Sequence, residues 1–170
     1  ICNFSKHSSR HQPDVDVENG NTFTPISSLS DAIRKQTIVI NGVSKTYAMT
    51  GWRVGFAVGD PEIISGMAKI ISQTTSNLTA VSQYAAIEAL TGDQSSIEEM
   101  RQAFEERLNT IYPLLAEVPG FEVIKPQGAF YLFPNVKKAM EIKGYTNVND
   151  FTNAILEEAE VALVTGAGFG

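Results

Sequence analysis

The strongest constraint on this chain is a pair of short, β-branched apolar runs separated by a glycine-punctuated loop. Residues 37–41 (TIVIN) and 54–59 (VGFAVG) each read as a strand, and residues 42–53 lie between them. Continuous apolar runs of this length are the pattern of strands covered on both faces. Such a frame expects helical layers on either side. The sequence supplies them. Residues 28–36 (SLSDAIRKQ) predict a short helix with Ser30 as its cap. Residues 60–72 open with Asp60 as cap and Pro61 at the first helical position, a firm helix start. Residues 76–92, rich in small side chains, predict a closely packing helix.

A longer helix is expected over 95–115, capped by Ser95 or Ser96, with Glu98 and Glu99 at its positive end. Met100, Phe104, Leu108 and Ile111 form its apolar stripe. After it the texture changes. Residues 121–136 (FEVIKPQGAFYLFPNV) read as two short strands joined through Pro126, Gln127 and Gly128. Residues 148–159 predict a helix capped near Asn149 or Asp150, followed by a strand at 161–166 (VALVTG). Alternation in the first part argues α/β layering, and mixed short strands in the second argue a smaller α+β unit. Residues 1–28 carry little periodicity and read as mostly irregular.

Composition excludes several functions. With 13 basic and 19 acidic residues the net charge is −6, which argues against a nucleic-acid footprint. The apolar runs are far too short to span a bilayer. Cys2 is the single cysteine, so no internal disulfide is possible, and a reducing, cytoplasmic setting is expected. His7 and His11 lie in the polar start without acidic or sulfur partners in a defined element, so no metal site is expected.

The loop itself carries Lys45, and Arg53 eight positions later. Any single lysine is most often simply solvated. A phosphate loop of the Walker type needs glycine immediately before the lysine and another five positions ahead of that. Ser44 and Val39 occupy those places, which rules it out. An imine-forming lysine is the third reading. It must lose its proton, which burial or cationic company promotes. The flanking strands are expected to give burial, and Arg53 a second positive charge whose planar fork suits a phosphate. Ser44, Thr46 and Thr50 offer hydroxyls, and Gly42, Gly51 and Gly55 let backbone approach a ligand. An aldehyde at one end and a phosphate at the other would engage both residues, and pyridoxal 5'-phosphate has that pair of groups.

Gly42, Ser44, Lys45, Met49, Gly51, Arg53 and Gly55 fill the pattern G-x-S-K-x-x-x-M-x-G-x-R-x-G without a gap. The stretch resembles the cofactor-attachment signature of class I aminotransferases, in particular the aspartate aminotransferase branch. Residues 76–90 are similar to the family's helix near the dimer interface, 126–136 to its small-domain hairpin, and 161–170 to a strand and turn returning to the active site.

The resemblance implies an α/β fold, part of a fold-type-I pyridoxal-phosphate transferase. Residues 1–110 would be the C-terminal part of the cofactor-binding large domain, with an irregular start at 1–22. Residues 111–170 would be part of the small α+β domain, joined through the helix at 95–115. It implies that Lys45 forms the aldimine and shuttles the Cα proton, that Arg53 pairs with the cofactor phosphate, and that Ser44 lies beside that phosphate. It implies amino-acid and 2-oxo-acid substrates, aspartate-like, and a homodimer.

Two family features do not match. The Asp-x-x-Tyr segment expected ahead of the lysine has no counterpart. Asp14 and Asp16 precede residues 18–23 (ENGNTF), but no tyrosine occurs before Tyr47, so both read as solvated loop carboxylates. The carboxylate-binding arginine is expected after 168–170 (GFG). The chain therefore reads as the middle-to-late portion of an aminotransferase, weakly active or inactive alone. A β-lyase of the same fold and a non-catalytic folded remnant are the alternatives. Gly128 and Phe130 could face a cofactor cleft, or be a turn and a core aromatic.

Overall fold

Residues 24–169 are described by a computed structural model. Residues 1–23, which include His7, His11, Asp14 and Asp16 and the start expected to be irregular, and the terminal Gly170 lie outside the described residues. The chain divides into two units, one ending at Ala103 and the other beginning at Phe104.

The first unit holds the helix α1 (Asp31–Lys35), whose cap is Ser30: its hydroxyl accepts from the Ile33 N–H at 3.2 Å. Strands β1 (Val39–Gly42) and β2 (Gly55–Val58) follow and pair antiparallel, with Val39 opposite Val58 and Gly42 opposite Gly55. They are not covered on both faces as expected, since Ile40 is 45% and Val58 60% exposed. Among the described residues the sheet has these two strands only, so no further strand lies beside either of them. Helix α2 (Pro61–Thr74) starts as the sequence predicts, with the Asp60 carboxylate accepting from the Glu62 N–H at 2.9 Å and Pro61 in the first turn. Helix α3 spans Ala80–Thr91.

Helix α4 (Ser95–Ala116) begins in the first unit, and the boundary between the units falls within its sequence. Its start is gripped by Asp93 rather than capped by Ser95 or Ser96. The Asp93 carboxylate accepts from both the N–H and the hydroxyl of Ser95. A carboxylate two residues upstream reaches the first free amide and adds negative charge at the positive end of the helix. Of the expected stripe, Leu108 is buried and Ile111 is half exposed, and Ile97, three residues ahead of Met100 on the same face, extends the stripe and is buried.

In the second unit, helix α5 (Lys137–Lys143) and helix α6 (Val148–Ala159) are formed. The α6 cap is Asn147, whose side chain accepts from the Asn149 N–H at 2.8 Å, so Asn149 and Asp150 are inside the first turn. The two strands expected within 121–136 are absent. A single antiparallel bridge joins Glu122 to Asn135, through N–H···O=C bonds of 3.0 and 2.9 Å. The strand expected at 161–166 is likewise absent, and Gly166–Phe169 form a 3₁₀ turn. Strand-forming side chains favour extended backbone, but a strand exists only where a neighbour takes its hydrogen bonds. Phe130 stacks on Phe104 with ring centroids 5.7 Å apart and lies 4.6 Å from Tyr131, so it behaves as a packing aromatic. No helix among the described residues is long and apolar enough to cross a membrane.

Candidate active site

Lys45 lies in the loop that β1 and β2 close. The closure continues one residue past the strands, where the Val43 N–H donates to the Val54 carbonyl at 3.3 Å. Val43 is fully buried, and with Val54 and Ala86 of α3 it forms the core of the first unit. Tyr47, Met49 and Leu78 pack against that core. Apolar side chains at 43, 47, 49 and 54 therefore pin the loop from beneath, and they leave the polar set of Ser44, Lys45 and Arg53 to the outer side. Ser44 is half-buried, and Lys45 and Arg53 are exposed.

Within the loop the backbone turns tightly. The Tyr47 N–H donates to the Val43 carbonyl at 3.3 Å and the Ala48 N–H to the Lys45 carbonyl at 3.2 Å. Ala48 and Arg53 both adopt the left-handed conformation, with φ of 51° and 54°. That conformation costs a residue with a Cβ about 1–2 kcal/mol, and such positions concentrate at functional loops. Arg53 Nη1 donates to the Thr50 carbonyl at 2.8 Å, which holds the guanidinium over its own loop.

Two of the glycines expected to admit a ligand play different parts. A Cβ on Gly42 would meet the Val54 carbonyl oxygen at 2.7 Å, so this glycine is required by the approach of the two strands. Gly51 faces open space. The burial expected for Lys45 is not supplied by the described residues, because its flanking strands form an open ribbon.

Sequence reading missed the partner of Tyr47. The tyrosine hydroxyl donates to Gln94 Oε1 at 3.2 Å, across 47 residues of chain. No local pattern announces a pairing at that separation. Among the described residues no group of three or more histidine, cysteine or acidic side chains could hold a metal ion.

The donor set of the loop fits pyridoxal phosphate: an amine for an aldehyde, and a guanidinium and a hydroxyl for a phosphate. Solved structures of aminotransferases share this fold. The chain superposes on the aspartate aminotransferase of Rhizobium meliloti with a TM-score of 0.83 at 35% identity, over 92% of this chain and 40% of that one. It superposes on an aromatic aminotransferase of Pyrococcus horikoshii with a TM-score of 0.81 at 35% identity, over 92% of this chain and 41% of that one.

Residues 13–170 match the family described as aminotransferase class I and II, and the chain belongs to that family. It is 76% identical to an asparagine–oxo-acid transaminase of Streptococcus mutans over 91% of its own length and 39% of that protein's. It is 55% identical to an aspartate aminotransferase of a Bacillus species, over 89% of its own length and again 39% of the relative's. The chain thus spans about two-fifths of the length of the relatives it matches.

Proposed function

We propose that this chain is the part of an aminotransferase that anchors pyridoxal 5'-phosphate, and that the enzyme moves an amino group between an aspartate-like amino acid and a 2-oxo acid. The observation that carries the reading is the pinned loop. Lys45, Ser44 and Arg53 stand at their matching positions of the family signature, on a backbone closed by strand pairing and a buried valine pair. Relatives named for asparagine and for aspartate support a small amino-acid substrate with a polar four-carbon skeleton.

Lys45 Nζ would hold the cofactor through its aldehyde, Arg53 would hold the phosphate, and the Ser44 hydroxyl would stand beside it. When bound, the cofactor supplies an electron sink for the charge released at the substrate Cα. Lys45 Nζ would take the substrate Cα proton and return it. Residues 1–110 belong on this reading to the large domain and 111–170 to the small one. The exposed apolar side chains Val81, Tyr84 and Ile87 of α3 support a homodimer. The single cysteine suits the cytoplasm.

The test is optical. Adding pyridoxal phosphate to the folded chain should give a visible band that borohydride abolishes and that Lys45→Ala lacks. Persistence of the same band in Lys45→Ala would remove the lysine from the mechanism.

A further inference from the structure

We propose that Tyr47 and Gln94 are a positioning pair: their side-chain hydrogen bond fixes the turn that carries Lys45, and so sets where its amine meets the cofactor aldehyde. The inference rests on the reading of Lys45 given above.

Tyr47 stands two residues after Lys45 and is tied to the loop twice. Its N–H donates to the Val43 carbonyl at 3.3 Å, and its ring packs on the core of Val43, Val54 and Ala86. The hydroxyl then reaches out of the loop to Gln94, which lies just ahead of α4. Gln94 is itself held on the other side. Its Nε2 donates to the Ala89 carbonyl at 3.0 Å and to the Gly92 carbonyl at 2.8 Å, at the end of α3. Both amide hydrogens are thereby committed to backbone carbonyls, so Oε1 is the atom that faces the phenol. The phenol must donate. Burial raises the Tyr47 pKa, which keeps that proton in place throughout the neutral range.

A phenylalanine at 47 would fill the same apolar space, so packing alone does not call for the hydroxyl. What the hydroxyl adds is a fixed register between the lysine turn and the α3–α4 junction. Lys45 belongs to that turn, so the point from which its side chain starts is set by the backbone that the pair holds. The Ala48 N–H to Lys45 carbonyl bond at 3.2 Å passes that register directly to the lysine.

The test is a double-mutant cycle of Tyr47→Phe, Gln94→Ala and the pair, made in the full chain. Two quantities are read: cofactor capture through the borohydride-sensitive band, and hydrogen exchange of the Tyr47 and Ala48 amides. Each single variant should weaken capture roughly three- to tenfold, the worth of one neutral hydrogen bond. The double variant should be no worse than the poorer single one, because both remove the same interaction. Exchange at Tyr47 and Ala48 should quicken while α2 keeps its protection, and the pH midpoint of the band should move in Tyr47→Phe. Additive losses, or a Tyr47→Phe protein with unchanged capture and exchange, would overturn the pairing. If Gln94→Ala does not fold, Tyr47→Phe alone decides through the exchange and the pH midpoint. If the parent chain captures no cofactor, the reading of Lys45 fails, and the exchange data still decide whether the pair holds the turn.

Discussion

Two segments of this chain have the composition of hairpins, and only one becomes a hairpin. Residues 43–54 are bounded by paired strands, and the buried Val43 and Val54 meet Ala86 of α3 beneath them. Residues 121–136 are at least as rich in strand-forming side chains, yet they close through the single bridge of Glu122 and Asn135. There Ile124 is 89% and Phe133 69% exposed. Strand propensity is thus a statement about fitting a half-buried surface. The first segment has a helix to cover, and rungs follow. The second is held by side chains and by the turn that precedes it.

The largest expected effect concerns that turn. Gly120 sits at φ +83°, and a Cβ there would meet the backbone nitrogen of Ala139 at 2.6 Å. Gly120→Ala combines a left-handed residue with a backbone clash and should destabilise the second unit by roughly 2–4 kcal/mol, read by urea unfolding. A change under about 0.5 kcal/mol would mean that the second segment does not depend on its turn.

Val43→Ala should lower the stability of the first unit by about 2 kcal/mol, since it hollows the core under the lysine loop. The comparison predicts that amide protection in β1 and β2 falls with it, while the Glu122–Asn135 bridge is unaffected.

Ala48→Gly relieves a left-handed residue at φ 51° and should stabilise the loop by about 0.5–1 kcal/mol. A destabilisation would show that this backbone conformation is not the one populated.

The smallest effect lies in the first turn of α4, just beyond Gln94. Hydrogen bonds from Arg101 and Gln102 hold the Glu98 carboxyl down to about 2, below its ordinary 4.5. A depressed carboxyl stabilises the fold above its unfolded value, and the contribution is lost as pH falls from 4.5 towards 2. Glu98 is half exposed, so Glu98→Gln should remove less than about 1 kcal/mol at neutral pH. The difference between the two proteins should vanish in acid.

What was legible in the sequence follows the same contrast. Signals carried by adjacent residues appear where expected: the Ser30 cap, Asp60 and Pro61 at α2, and the two runs flanking the lysine. Helix starts slipped by a residue or two where several polar side chains competed, so that Asp93 and Asn147 hold the amides assigned to their neighbours. Helix α5 was missed because seven residues, four of them charged, with only Ala139 buried, leave no apolar stripe to read. The strands within 121–136 and at 161–166 failed because their partners are a tertiary matter. The lysine loop was readable as chemistry. The exposure of Lys45 and the Tyr47–Gln94 bond were not: the first follows from the open ribbon of its flanking strands, and the second from a residue far along the chain.

The covalent role of one amine can be read directly. The folded chain should be incubated with pyridoxal phosphate, reduced with borohydride, digested and mapped by mass spectrometry. One pyridoxyl phosphate group is expected on the peptide carrying Lys45, lost when Arg53 is replaced by glutamine at limiting cofactor. Label distributed over surface lysines such as Lys69 and Lys137, with none favoured at Lys45, would contradict it.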